Sequence, residues 1–208
     1  MARKQGGFTI VETMIAVTVF SVLAMLTTLA VIQLSRSYQF GSSKTKLLDA
    51  SRQIHARFTQ AVQYGADTST SVGTITSTTG TTYNVWCAGS TRFSWVLSSG
   101  STIKTYTTNN PNKGALYADA VSGPGNCTSD TLNTDTAEKL LPQGSFVTIF
   151  SPSLANGYAQ LNTRFNLGEA DMYRGNDVGN GCESSSLAGV EFCAVVQYDS
   201  TATEKVVN

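Results

Sequence analysis

One carboxylate stands at the edge of a long apolar stretch near the start of the chain. Glu12 is the only ionisable residue between Lys4 and Arg36, and residues 13–32 are 20 residues without a charge, of which 15 are apolar. A carboxylate in apolar surroundings costs several kcal/mol unless a cation neutralises it. The pattern therefore suggests that Glu12 is functional and that its positive partner comes from elsewhere.

The apolar stretch is long enough to cross a membrane. An α-helix rises about 1.5 Å per residue, so a stretch of this length covers roughly 30 Å, the thickness of the hydrocarbon layer. No Gly or Pro interrupts it. A secretory signal peptide has a shorter apolar core followed by small residues, whereas Gly6 and Gly7 come before this one. We therefore predict a membrane-spanning helix at the N-terminus.

The residues around Gly7 resemble a known processing signal. The segment R-K-Q-G-G-F-T-I-V-E-T-M-I-A is similar to the class III signal of type IV pilins and pseudopilins, a short basic leader followed by Gly, Phe and a Glu at the fifth mature position. The resemblance implies that the prepilin peptidase cuts after Gly7 and N-methylates Phe8. It also implies that Glu12 meets the amine of a neighbouring subunit during assembly. Cleavage creates the cation that Glu12 needs, and methylation leaves it charged.

The resemblance also implies an organisation for the whole chain. Residues 1–7 are expected to form the leader, residues 8–64 a long helix, and residues 65–208 a β-rich head. Residues 8–35 are expected to span the membrane and later to form the filament core. The precursor is expected in the inner or cytoplasmic membrane with the head outside, and the mature protein in a cell-surface pilus. Expected partners are other pilin subunits, the membrane before assembly, the prepilin peptidase and the pilus assembly machinery.

The implied function is structural and not enzymatic: a subunit of a type IV pilus or pilus-like filament that serves adhesion, twitching motility or DNA uptake. Many major pilins carry Gly and Pro at the fourteenth and twenty-second mature positions, where this chain has Ser21 and Leu29. That departure favours a minor pilin. Two alternatives stay open: a pseudopilin of a type II secretion or competence system, and a single-pass adhesin anchored by an uncleaved helix.

Periodicity predicts an α+β fold, in which the long helix packs on an antiparallel β-sheet head. Apolar residues recur at helical spacing over residues 47–62, polar residues occupy the opposite face, and Gly65 is a natural stop. One helix over residues 9–64 would thus be apolar all round in its first half and amphipathic in its second. Gly41 makes residues 38–46 the expected place for a bend or fraying.

Runs rich in β-branched and aromatic residues predict the strands of the head. With no helical pattern between them, they favour an antiparallel sheet laid on residues 47–62. Residues 98–101 read as a hairpin turn, residues 66–82 as a surface loop or weak edge strands, and 109–133 and 167–187 as long connections. The predicted strands are 83–87, 92–97, 102–107, 145–150, 160–166 and 190–198.

All four cysteines lie in the head, as expected for disulfides in an oxidising compartment. They allow three pairings. We favour Cys87–Cys127 and Cys182–Cys193; the second pair closes a short loop at the C-terminal end, where pilins of this class commonly carry a disulfide-bound region. Zinc is the alternative, but no C-x-x-C pair exists and the sole histidine, His55, lies on the helix, so no metal site is predicted.

Other chemistry has little support in the sequence. A packing or surface role is expected for His55, and no nucleophile-elbow, phosphate or dinucleotide motif occurs. Glu169, Asp171 and Asp177 lie in an oxygen-rich loop and are calcium candidates, but the spacing does not match an EF-hand and a solvated loop is favoured. No cofactor is predicted. With 14 basic and 14 acidic residues, nucleic acid is expected as a partner only through an assembled filament.

Overall fold

The computed structural model describes residues 9–65, 67–69, 71–78, 80–97, 114–123, 126–168, 172–173, 181–182 and 193–203. The chain divides into two compact units, Met1–Gln39 and Phe40–Asn208. Gly7 and Phe8 lie outside the described residues, as do the calcium candidates Glu169, Asp171 and Asp177. The predicted strand 102–107 and the predicted turn 98–101 also lie outside them.

The fold is α+β, as the sequence predicts. One α-helix, α1, spans Ile10–Tyr64. The strands of the described residues form a five-stranded antiparallel sheet in the order β1–β2–β3–β4–β5 and a three-stranded antiparallel sheet in the order β6–β7–β8. Their bounds are Gly73–Thr76 (β1), Thr82–Ala88 (β2), Thr91–Trp95 (β3), Leu116–Ala120 (β4), Glu138–Lys139 (β5), Ser145–Ala155 (β6), Tyr158–Leu167 (β7) and Ala194–Thr203 (β8).

The first unit consists, in its described part, of the first half of α1. Its large apolar side chains are exposed, with exposed fractions between 44% for Ile32 and 81% for Ile10. The helix contains a stretch long and apolar enough to cross a membrane, and none of that stretch is buried. The prediction of a helix that is apolar all round is therefore confirmed.

The core of the second unit lies between the second half of α1 and the two sheets. Leu47, Ile54, Phe58 and Val62 are at most 1% exposed and face the sheets from one side of α1. Phe58 stacks on the Trp86 ring of β2, with ring centroids 5.0 Å apart. The predicted amphipathic second half is thus confirmed, because these residues share one helical face.

A second cluster covers the opposite face of the five-stranded sheet. Tyr83 and Val85 of β2 and Leu132 of the β4–β5 connection are fully buried there. The guanidinium of Arg92 on β3, only 1% exposed, forms an ion pair with Asp119 of β4. It also donates to the backbone carbonyl oxygens of Cys127 and Asp130. The β4–β5 connection is therefore held on the sheet by buried polar contacts as well as apolar ones.

Five features of the structure differ from the predictions. The strands form two sheets instead of one, and β6 continues to Ala155, beyond the predicted 145–150. β4 lies inside residues 109–133, which the sequence analysis assigned to a connection. β8 begins at Ala194 and ends at Thr203, instead of spanning 190–198. α1 is assigned as helix throughout residues 38–46, so the predicted fraying is not found there.

The end of α1 requires a glycine, Gly65. The reason is a close approach of another backbone segment, and not a left-handed backbone conformation that caps the helix. Gly65 N–H donates to the Ala61 carbonyl oxygen at 2.8 Å, which continues the helical bonding pattern. A Cβ at this position would lie 2.5 Å from that oxygen and 2.7 Å from the Gly89 nitrogen in the β2–β3 turn. Glycine is therefore required because the backbone of the turn approaches the helix end closely.

Candidate functional site

The first turn of α1 is capped by Thr9. The Thr9 side-chain oxygen accepts a hydrogen bond from the Glu12 N–H at 3.3 Å. The Thr9 carbonyl accepts from the Glu12 and Thr13 N–H groups at 3.1 and 3.2 Å. A Thr followed three residues later by Glu is the capping-box pattern, so the segment T-I-V-E starts the helix at Ile10. The T-x-x-E spacing at residues 9–12 is the signal in the sequence from which this cap could have been predicted.

The Glu12 side chain is exposed in the first turn of α1. The N-terminus of a helix carries a partial positive charge, which stabilises a carboxylate by about 0.3–1 kcal/mol at the surface. Among the described residues, no cation contacts this carboxylate. The described residues therefore supply no cation that neutralises Glu12.

The hydroxyl groups of the apolar stretch are satisfied within the helix. Each donates to a backbone carbonyl oxygen three or four residues earlier, at 2.8 to 2.9 Å; the donors are Thr13, Thr18, Ser21, Thr27 and Thr28. Such bonds remove the penalty of placing a hydroxyl in an apolar medium. Glu12 is therefore the one polar side chain of residues 12–32 that has no hydrogen-bond or ion-pair partner in the part of the chain that the structure describes.

The head contains both cysteine pairs that the sequence analysis favoured. Cys87 on β2 is bonded to Cys127, and Cys182 is bonded to Cys193, with a Cα–Cα distance of 5.9 Å in each. The first disulfide joins the β4–β5 connection to the five-stranded sheet beside Arg92, since Cys87 and Arg92 are register partners. Neither pair leaves a thiol available as a nucleophile or metal ligand.

His55 lies between α1 and the three-stranded sheet. It is 4% exposed, with Nε2 2.8 Å from the Thr163 hydroxyl and Nδ1 bonded to the Ser200 hydroxyl. Because Thr163 donates its proton to the Tyr198 carbonyl, Nε2–H donates to Thr163 and Nδ1 accepts from Ser200. Burial lowers the His55 pKa to about 4, against a smaller opposing effect of Asp199. These contacts agree with the predicted packing role.

Within the described ranges, no group of three or more His, Cys, Asp or Glu side chains could hold a metal ion. Of the predicted site residues, the structure places Glu12 in the first turn of α1 and joins the four cysteines in two disulfides. Gly7 and Phe8, the predicted positions of cleavage and methylation, precede the first described residue.

Comparison with known proteins identifies the N-terminal segment. Residues 2–28 match the family model described as the prokaryotic N-terminal methylation motif. This motif is the class III signal of type IV pilins and pseudopilins, so the resemblance found in the sequence is confirmed for this segment. A search of curated proteins and a search of solved structures each find no match. The motif supports a pilin-like or pseudopilin-like protein, a family whose members are structural.

Proposed function

We propose that this chain is a structural subunit of a type IV pilus or pilus-like filament, in the role of a minor pilin. One observation carries the proposal: a helix half whose apolar side chains are all exposed begins with the methylation motif and one unpaired carboxylate. A surface of that kind is unstable in water. Lipid covers it in the stored precursor, and the helices of neighbouring subunits cover it in the filament.

Processing converts the stored form into the assembling form. The prepilin peptidase removes residues 1–7 on the cytoplasmic side and methylates the new amine of Phe8. Glu12 then pairs with the Phe8 amine of a neighbouring subunit, which neutralises both charges inside the filament core. Residues 8–35 form that core and residues 65–208 the exposed head. The pilus reaches the cell surface, where it serves adhesion, twitching motility or DNA uptake.

The helix at Ser21 and Leu29 supports the minor-pilin role. Both residues lie inside α1, and the Ser21 hydroxyl donates to the Val17 carbonyl at 2.8 Å. Gly or Pro at these positions would weaken the helix by about 1 or 3 kcal/mol. This chain therefore lacks the helix-weakening residues that many major pilins carry at these positions, and this difference favours a minor pilin.

The decisive measurement is the mass of the mature N-terminal peptide. Protein is purified from membranes and from sheared filaments of the parent strain and of a strain lacking the prepilin peptidase. We expect an N-methylated Phe8 in the parent and an intact Met1 end in the mutant. Retention of residues 1–7 in the parent would overturn the proposal and identify a single-pass membrane anchor instead.

Glu12→Gln tests the role of the charge apart from the role of the cap. Gln is accepted at the third position of a capping box, so α1 should begin at the same residue. We expect normal cleavage but a loss of filaments of roughly tenfold or more, since one unpaired ammonium in an apolar core costs several kcal/mol. Assembly at the parent level would contradict the proposed pairing.

A pseudopilin is the second candidate, because the same motif marks pilins and pseudopilins alike. A deletion strain distinguishes the two. Loss of surface filaments or of their adhesion supports the pilin role, whereas loss of protein secretion with intact surface pili supports the pseudopilin role.

A further inference from the structure

A cleft lies between the last turns of α1 and strand β8, both in the second compact unit. Its volume is about 450 Å³, within the range of about 300–1,000 Å³ that small-ligand sites occupy. The helix supplies a row of side chains at a spacing of four residues, and β8 supplies two side chains of one face. The row is Arg52, Ala56, Gln60 and Tyr64, and the strand residues are Tyr198 and Ser200. The cleft therefore has walls on two packed elements.

Two tyrosine side chains give the cleft exposed aromatic surface. Tyr64 is 77% exposed and Tyr198 is 40% exposed. The Tyr198 ring meets the His55 ring edge to face, with ring centroids 4.6 Å apart. The His55 side chain is held in turn by hydrogen bonds with Thr163 and Ser200. Because the fold fixes the position of the Tyr198 ring, a ligand that packs on it loses little affinity to the ordering of that side chain.

The rest of the lining offers hydrogen bonds without a strong charge. The side chains of Gln60 and Gln63 line the cleft, and each amide has N–H donors and a carbonyl acceptor. The Arg52 guanidinium lies 3.7 Å from the Asp49 carboxylate, which offsets its charge. Burial lowers the pKa of His55 to about 4, so its imidazole is uncharged at neutral pH. Among the lining residues that the structure describes, none is acidic. The cleft therefore suits a ligand that is polar but uncharged.

We propose that this cleft binds a short neutral sugar chain, with sugar rings packed on Tyr64 and Tyr198 and sugar hydroxyl groups bonded to the glutamine amides. A pyranose ring presents C–H groups on its faces and hydroxyl groups around its edge. The C–H faces pack on aromatic rings, and each hydroxyl both donates and accepts hydrogen bonds. The inference deepens the adhesion role of the proposed function, and it rests on that function for its biological use, because a head outside the cell meets carbohydrate.

Other classes of ligand fit this lining less well. A purely apolar ligand would leave the amides of Gln60 and Gln63 without partners, which lowers affinity. A charged ligand would find no full opposite charge in the cleft. An extended peptide adds a strand to a sheet edge through backbone groups, whereas β8 lines the cleft with the side chains of Tyr198 and Ser200. Neutral carbohydrate is the class that satisfies both the rings and the amides.

Calorimetric titration of the purified full chain tests the cleft. The probes are short uncharged chains of glucose, galactose or N-acetylglucosamine, the sialylated and sulfated forms of these chains, and an uncharged peptide. The micelles consist of a detergent without a sugar headgroup, so that the detergent does not compete for the cleft. We expect saturable binding of a neutral chain, no tighter binding of its charged forms, and no binding of the peptide.

The matched pair Tyr64→Ala and Tyr158→Ala tests the aromatic contact. Both variants remove an exposed tyrosine ring from the head. Tyr158, at the start of β7, is 53% exposed and does not line the cleft. We expect an affinity loss of about tenfold for Tyr64→Ala and a change within about twofold for Tyr158→Ala. Tyr64→Phe keeps the ring and should bind within about twofold of the parent.

Ala56→Leu tests the space in the cleft. Ala56 is exposed and has the smallest side chain of its row. Leucine forms helices nearly as well as alanine, so denaturant unfolding of the head should not change. The larger side chain occupies the space of the ligand, and we expect the affinity to fall about tenfold. The control Gln53→Leu places a leucine on α1 outside the cleft and should stay within about twofold of the parent.

The two proposals fail in different ways. The absence of saturable binding by any neutral chain, binding of the charged chains or the peptide alone, or equal losses for Tyr64→Ala and Tyr158→Ala would overturn the sugar site. Binding by Ala56→Leu at the parent level would overturn it as well. None of these outcomes depends on cleavage after Gly7. An uncleaved N-terminus in the parent would instead overturn the proposed function and leave the titration results unchanged.

Discussion

The two halves of α1 bury their apolar side chains in different ways. In the second half, Ile54 and Phe58 are covered by the sheets of the same chain. In the first half, Phe20 is 72% exposed and Leu26 is 57% exposed. One helix thus contains a segment whose apolar side chains are buried within the monomer and a segment whose apolar side chains are exposed; on the proposed function, lipid or other subunits cover the second kind. The difference predicts that mutations in the two halves affect different measurements.

The largest expected effect comes from Phe58→Ala. Phe58 is fully buried and stacks on Trp86, so its truncation should lower the free energy of unfolding of the head by about 3–5 kcal/mol. Denaturant unfolding of the full chain in detergent, followed by tryptophan fluorescence, measures this change. The control Phe20→Ala should leave the head within about 0.5 kcal/mol of the parent. Equal effects of the two variants would contradict the conclusion that the second half of α1, and not the first, stabilises the head.

Arg92→Met tests whether polar contacts, in addition to apolar packing, stabilise the head within the monomer. Removal of the guanidinium leaves the partly buried Asp119 carboxylate and the Cys127 and Asp130 carbonyls without their donor. We expect a loss of about 3 kcal/mol in the free energy of unfolding. The double variant Arg92→Met/Asp119→Leu is the control and should recover part of that loss. No recovery would show that the Asp119 charge is not the source of the cost.

His55 should make the stability of the head depend on pH. Its pKa is about 4 in the folded chain and about 6.5 when unfolded, so the unfolded state binds the proton first as pH falls. Stability is therefore complete above pH 6.5 and declines by up to about 3 kcal/mol toward pH 4. The interval from pH 6.5 to 5 isolates this effect, since carboxyl groups titrate lower. His55→Gln should remove the slope in that interval, and a persisting slope would assign it to another group.

The smallest expected effect comes from Arg57→Gln. Arg57 forms two hydrogen bonds to Glu138 of β5, at 2.6 and 2.8 Å, but the side chains are 45% and 58% exposed. Exposed ion pairs contribute about 0–1 kcal/mol and are screened by salt. Unfolding in low and high salt should therefore show a loss below about 1 kcal/mol that disappears at high salt. A larger loss that survives high salt would mean that Arg57 stabilises the head through packing.

Predictions from the sequence were most accurate for elements whose structure is determined by a local pattern of residues. The apolar stretch beginning at Thr13 and the periodic residues Leu47 to Val62 specify α1, because helical periodicity is a property of neighbouring residues. The Asn156–Gly157 turn was also readable: its φ angles of 53° and 76° are those of the type I′ hairpin that Asn-Gly favours. That signal, like the T-x-x-E cap, was present but not used.

Long-range contacts explain what could not be predicted. β4 reads as a connection because Ala118 and Asp119 are poor strand formers, and it becomes a strand by pairing with β3. Arg92 looks like a solvated arginine, yet Asp119, 27 residues away, completes its buried site. The proposed partner of Glu12 belongs to another copy of the chain, so contacts within one chain could not have revealed it.

The hydroxyls of the first half of α1 have a consequence for reversibility. Each hydroxyl already donates to a carbonyl oxygen of its own helix. A subunit that leaves the bilayer for a filament therefore exchanges contacts with lipid for contacts with other helices and breaks none of these hydrogen bonds. On the proposed function, the electrostatic interaction that changes at the start of α1 is the pairing of the Glu12 carboxylate with an amine. On that function, release of a subunit from the filament would also break no hydrogen bond of these hydroxyl groups, so assembly would be reversible in this half of α1.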